Sequence, residues 1–325
     1  MRLSFLLLLL SALIVHAQDV NVRVSPDVKT GIEGTTEFPT IQMALDHHPF
    51  PGPHGRVFIH IAPGVYHERL NITQNHPDIT LVGMGHGPED VVITNSLNAK
   101  QAGGTFFTET VEVDGAGFEA DNLTFENTAG NTGQAVAIVV RADRAVFKHC
   151  RFLGHQDTLF ADYGRQYYVD SYIEGGVDFI FGDAAAVFDR DEIHSNGRGS
   201  ITAQSRTSPQ QATGYVIVRS RVTADEEIPS IFLGRPWRPY GRVVFMDTEL
   251  PAIVDPAGWN NWGHVSNEQT AWFGEYRNSG PGASTAGRVA WAHQLTSAQA
   301  KQFLPQTFLA GADHWNPIAA AAKLP

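Results

Sequence analysis

AVFKHCRF at 145–152, QYYVDSYI at 166–173 and AVFDRDEI at 186–193 are three versions of one eight-residue pattern. Each alternates apolar or aromatic residues, passes through a polar pair and closes on an apolar residue. Working outward, the pattern recurs in FEADNLTF (118–125), YVIVRSRV (215–222) and VVFMDTEL (243–250). The closing residues, Phe125, Phe152, Ile173, Ile193, Val222 and Leu250, stand 20 to 29 positions apart. Alternation with β-branched and aromatic residues reads as strand, and the Gly, Asn, Asp and Pro between segments read as turns. Short strands at that period, with no helical stretch between them, predict an all-β solenoid: a parallel β-helix of stacked coils. An ordinary β-sandwich also has frequent short strands, but six segments in one register favour the solenoid.

The stack needs caps. FPTIQMALDHH (38–48) has apolar residues at helical spacing, and TSAQAKQFL (296–304) places Thr296 and Ser297 before good helix formers. Both are expected as short capping helices of a single domain spanning 18–325. The chain opens MRLSFLLLLLSALIVHAQ, with a basic Arg2, an apolar run and a small-residue cleavage site. Residues 1–17 therefore read as a signal peptide of a secreted protein, too short an apolar run for a membrane span.

Cys150 is the only cysteine, so no intrachain disulfide is possible, and its alternating apolar setting predicts a buried, inert thiol. The 325 residues carry a net charge of −11; without residues 1–17, 22 basic side chains face 34 acidic ones, giving −12. That balance argues against nucleic acid or an anionic membrane as partner. No His or Cys spacing suggests a metal site, and no cofactor is expected. A monomer is expected.

Two aspartates stand in unusual company. Asp157 lies in GHQDTLF (154–160) and Asp178 in GGVDFIFGDAA (175–185). Asp178 is flanked by Val177, Phe179, Ile180 and Phe181, where an unpaired carboxylate is costly. Arg235 in IFLGRPW (231–237) is the candidate counter-ion. Asp157 is five residues past Phe152 and Asp178 five past Ile173, so stacked coils put both on one face, one strand spacing of roughly 5 Å apart. Carboxylates so placed can divide roles, one ionised and one held protonated. Gln156 and, one coil earlier, Gln134 can donate to a developing oxyanion without carrying charge.

TAGNTGQAVAI, GHQDTLF, VDFIFGDAAAVF and LGRPW, in this order, resemble the signature blocks of pectin methylesterases. GVYHERL (64–70), GWNNWG and FGEYRNSGPGA (273–283) resemble their N- and C-terminal blocks, so the likeness covers nearly the whole chain after residue 17. The resemblance implies a right-handed parallel β-helix and hydrolysis of methyl esters of galacturonosyl units in pectin. It implies Asp178 as nucleophile, Asp157 as general acid and base, Gln134 and Gln156 as oxyanion donors, Arg235 as the group that orients Asp178, and Trp237 as an aromatic platform. Trp259 is expected as a second sugar wall, with His155 and Phe179 also at the substrate, whereas Trp262 reads as structural. A lyase or hydrolase on the same scaffold, a thioesterase-like relative and a non-catalytic carbohydrate-binding β-helix are the alternatives. The last has no use for two aspartates and two glutamines on one face.

The chain departs from the family pattern at His155, at DRDEI (189–193) and at Asp183, where a neutral Asn is usual. If Asp183 turns into the cleft, its charge raises the apparent pKa values of the aspartate pair; if not, it is a turn aspartate capping local amides.

Overall fold

The computed structural model describes residues 19–28, 36–49 and 55–325; the expected signal peptide lies outside them. The chain winds as a right-handed parallel β-helix whose strands form three parallel sheets of 12, 7 and 7 strands. One coil shows the path: Arg165–Val169 lies in the long sheet, Tyr172–Gly175 in the second and Ile180–Gly182 in the third. Ala185–Asp189 then returns to the long sheet beside the strand that opened the coil.

The repeat seen in the sequence is the register of the stack. Phe125 pairs with Phe152, Phe152 with Ile173, Ile173 with Ile193, and Ile193 with Val222. The Val222 amide donates to the Glu249 carbonyl at 2.9 Å, which sets Leu250 at the end of the same column. The fifth residue of every segment turns the corner between sheets in the left-handed region: Asn122, His149, Asp170, Arg190, Arg219 and Asp247 have φ from 50° to 59°. A seventh copy, FGEYRNSG at 273–280, continues the series, with Phe273 paired to Val243 and Arg277 at φ 49°.

Side chains inside the coil stack at the strand spacing. The rings of Phe147 and Tyr168 lie 4.9 Å apart and 4° from parallel, and Tyr168 and Phe188 lie 4.8 Å apart at 11°. These distances match the separation of hydrogen-bonded strands, so one ladder satisfies backbone and rings together. A polar ladder runs beside it: Cys150 N donates to Ser171 Oγ (3.0 Å), Ser171 N to Asp191 Oδ1 (2.8 Å) and Asp191 N to Ser220 Oγ (3.0 Å). Cys150 is buried as expected, and burial pushes its thiol well above the ordinary range, which keeps it inert.

Helix Ile41–His47 caps the N-terminal end, with Thr40 Oγ1 accepting from Met43 N. Glu68 of the GVYHERL block accepts from the Ile41 and Gln42 amides at 3.0 Å each, holding the helix start with a carboxylate. At the other end the expectation needs correcting. Ser297–Ala300 does form a helix with a Thr296/Gln299 capping box, but it begins a strap along the outside of the long sheet. Leu295, Phe303, Leu309, Ala321 and Leu324 pack on outward-facing Val146, Val187, Val216 and Val244. The outward face of this sheet is apolar because the chain folds back to cover it. Among the described residues no helix is long and apolar enough to cross a membrane.

Truncating Phe147 to Ala removes the first ring of the Phe147–Tyr168–Phe188 stack and should lower the unfolding free energy by about 3–5 kcal/mol. Urea denaturation of the two proteins measures the difference; a loss below 1 kcal/mol would show that the stack contributes little.

Candidate active site

The outward face of the third sheet carries one column of paired residues: Glu112, Val139, Phe160, Phe181, Ala203 and Arg235. Phe160 and Phe181 stack at 4.4 Å, 3° from parallel, and make an apolar floor. Along its edge, where coils pass from the second sheet to the third, Gln134 bridges to Gln156 and Gln156 to Val177. Asp157 and Asp178 follow directly, so one strand spacing, about 4.8 Å, separates the backbones that bear them.

Both aspartates are in the left-handed region, Asp157 at φ 65° and Asp178 at φ 50°. This conformation costs a residue with a Cβ about 1–2 kcal/mol, though Asp tolerates it better than most. It also explains which neighbours face the cleft. The turn at Asp178 resets strand alternation, so Phe179 and Ile180 both point into the core and Phe181 is the first ring outside.

Arg235 grips Asp178 with two parallel hydrogen bonds, Nε to Oδ1 at 2.8 Å and Nη2 to Oδ2 at 2.6 Å. Asp178 is 5% exposed. The guanidinium in turn lies 3.7 Å from the centre of the Trp262 ring. Trp262 holds φ 60°, a rare conformation for a bulky side chain, anchored by its amide on Asn260 Oδ1 at 2.8 Å. The side chains of Gln134, Gln156 and Asp157 make no hydrogen bond to another described residue, and all three line a cleft of about 310 Å³. Trp237, Thr105 and Phe106 complete its walls, with Phe106 packed on Phe160 at 5.3 Å.

The two carboxyl groups differ electrostatically. Burial pushes Asp157 up to about 8, the charge of Asp178 adds to this, and Arg235 only partly offsets it. Asp178 is also raised by burial but is pulled back by the hydrogen bonds and charge of Arg235. Around neutral pH Asp157 therefore holds a proton while Asp178 has the stronger reason to be ionised. A carboxylate nucleophile, a carboxylic acid beside it and two free amide donors are the equipment for acyl transfer.

Asp157, Asp178, Gln134, Gln156, Arg235 and Trp237 are thus brought together. Three expected substrate residues are not. Trp259 is 1% exposed, packed against Phe273 with the ring centres 4.6 Å apart and tilted by 32°, and its Nε1 donates to Glu275. It lies under Gly234, where an added Cβ would come within 3.2 Å of its ring. Phe179 is fully buried. The His155 ring lies over glycines of the next coils, close enough that a Cβ at Gly176 would meet it at 2.7 Å and one at Gly197 at 2.9 Å. Asp183 turns away from the cleft and accepts from Gln211 Nε2 and Thr213 Oγ1, both at 2.7 Å, fixing the loop between them. Conversely Trp262 and Phe106, read as structural or passed over, are cleft walls. The Asn-Trp-Gly turn and the paired glycines before Thr105 were the only signals.

Because the folded-state pKa of Asp157 is raised, its ionisation opposes folding. The penalty is absent below the usual carboxylate range and grows as pH rises from about 4 through about 8. Asp157→Asn should stabilise the protein at pH 8 by on the order of 1–3 kcal/mol, with little gain near pH 4. Thermal unfolding across that range checks the sign; a variant less stable at pH 8 than at pH 4, relative to the parent, would contradict it.

The family model described as Pectinesterase matches residues 27–312. "Pectinesterase 31" of Arabidopsis thaliana is 42% identical over 89% of this chain and 92% of its own length. Against "Pectinesterase 1" of Citrus sinensis identity is 40%, and the match spans 51% of that longer protein. Among solved structures, pectin methylesterase from carrot superposes with a TM-score of 0.85 at 36% identity, covering 94% of this chain and 97% of the other. The Aspergillus niger pectin methylesterase gives 0.79 at 33%, covering 93% and 98%. With sequence, coil register and solved relatives in agreement, the chain belongs to the pectinesterase family of carboxylic ester hydrolases.

Proposed function

We propose that the protein hydrolyses methyl esters of galacturonosyl units in pectin, giving pectate and methanol, with Asp178 as nucleophile. The observation that carries this reading is the unequal aspartate pair: Asp178 held in the fork of Arg235, Asp157 unpaired and pushed up to about 8. A pectin methylesterase of similar fold, 28% identical with a TM-score of 0.75, has been solved in complex with a hexasaccharide.

In the first step a carboxylate oxygen of Asp178 adds to the ester carbonyl. The carbonyl oxygen becomes an oxyanion within reach of the Gln134 and Gln156 amides. As the tetrahedral species collapses, the C–O bond to the methoxy group breaks and Asp157 gives its proton to the departing methanol. Asp157, now ionised, takes a proton from water, which attacks the uronate carbonyl of the mixed anhydride and frees Asp178. Arg235 keeps the nucleophile ionised and aimed, with Trp262 behind its guanidinium. Trp237 offers an aromatic face to a pyranose ring. No step calls for a metal or cofactor. Residues 1–17 fit a cleaved signal peptide, placing a single-domain monomeric enzyme outside the cell.

Methanol release from methylated pectin tests the reaction. Shortened chains or unsaturated ends without methanol would instead favour a hydrolase or lyase. Asp178→Asn keeps the shape and removes the nucleophile, so turnover should fall at least ~10³-fold in a folded protein. Near-normal turnover would overturn the assignment. In the parent enzyme kcat/KM should decline as pH rises through about 8, where Asp157 loses the proton it donates.

A further inference from the structure

The cleft does not end at the aspartates. Past Trp237 and Trp262, which line both, it opens into a second hollow of about 440 Å³ bordered by Arg238, His264 and Ser266. Arg238 is exposed, with its guanidinium over the Trp237 ring at 4.7 Å and one Nη donating to the Trp237 carbonyl at 3.3 Å. No carboxylate of the described residues pairs with it, and no Asp or Glu lines the hollow. Arg235, the other cation of the cleft, is committed to Asp178. Arg238 therefore presents free, oriented donors in the direction a bound chain would continue.

The opposite end of the site has the reverse charge. The outward column that ends at Arg235 begins at Glu112, which with Asp114 and Asp162 shares the single cation Arg141. Arg141 lies 6.0 Å from the Phe160 ring, so this acidic cluster borders the apolar floor. Along the coil axis the site passes from excess negative charge, across Phe160 and Phe181, to an unpaired guanidinium. Screening confines such effects to about 8 Å at physiological ionic strength, so this local gradient matters more to a bound sugar than the net charge of −11.

A methyl ester is neutral and the hydrolysed unit is an anion, so the gradient discriminates between them. We propose that Arg238 is a specificity residue that receives the free carboxylate of a galacturonate on the Trp237/Trp262 side of the reacting ester. The inference rests on the pectin reading above. A chain bound in this direction presents its next ester to Asp178 with the demethylated unit paired; the reverse direction brings that anion towards Glu112, Asp114 and Asp162. Hydrolysis then extends an existing run of free carboxylates instead of scattering.

The test uses methyl-esterified oligogalacturonides with either no free carboxylate or one, and reads the ratio of kcat/KM on the second to that on the first. The parent enzyme should favour the oligomer with one free carboxylate. Arg238→Gln should lower the ratio about 5-fold, and Arg238→Lys, which keeps the charge, should retain most of it. A loss of aromatic packing alone would slow both substrates alike and leave the ratio unmoved. A ratio in Arg238→Gln equal to the parent's, with methanol still released, overturns the role of Arg238 and leaves the pectin reading intact. No methanol from either substrate with the parent enzyme would overturn the pectin reading itself.

Discussion

Two carboxylates one strand spacing apart cannot both be charged cheaply. Two unit charges at the spacing of the backbones that bear them, about 4.8 Å, would repel by about 3–4 kcal/mol at an effective dielectric near 20, and burial adds to the cost. The β-helix makes that spacing obligatory, because Asp157 and Asp178 follow the bridged pair Gln156 and Val177 on adjacent coils. The asymmetry between them comes from Arg235, two strands along the column from Phe181, whose fork reaches Asp178 only. Charge state, and with it the division into nucleophile and acid, follows from where one guanidinium enters the stack.

The surroundings of the pair keep the difference large. Phe160 and Phe181 displace water from the floor, and a drier site strengthens each charge interaction within it. Trp262 covers the back of Arg235 and holds a strained backbone to do so. Left-handed φ values recur at the coil corners throughout the stack, and at Asp157, Asp178 and Trp262 that backbone cost falls on residues of the site. The interior aromatic stacks need no adjustment of their own, because there the strand spacing and the ring spacing already agree.

Most of this was legible in the chain because the coil register is a one-dimensional property. The six closing residues from Phe125 to Leu250 line up as the sequence pattern implies, and the aspartate pair follows from counting five residues on. Side-chain direction after a left-handed residue was not legible. Counting strictly by twos cannot tell that Phe179 faces in and Phe181 out, because the conformation of Asp178 shifts the phase. Trp259 and Trp262 were exchanged for a similar reason: three residues apart, they differ by which one pairs beside Gly234 and which one sits at φ 60°. The direction of Asp183 was left open by its place in the sequence, because proximity in sequence says nothing of the Gln211 and Thr213 donors that claim it. The strap beyond Leu295 was hidden too, since its apolar residues match a surface that exists only once the coils are stacked.

That strap changes how the molecule comes apart. A bare stack of coils is a column of nearest-neighbour contacts that can fray from either end. Here Lys148 Nζ holds the carbonyls of Leu324 and Pro325, while Arg165 holds Asp313, so the last residues of the chain are moored to coils in the middle. The C-terminal coils cannot peel away without first lifting a segment that also covers Val146, Val187 and Val244. The clamp couples units that would otherwise melt one by one. Amides beneath it should share a common opening event, and Asp157 and Asp178 belong to coils whose long-sheet strands, at Val146 and at Tyr167 and Val169, lie under it.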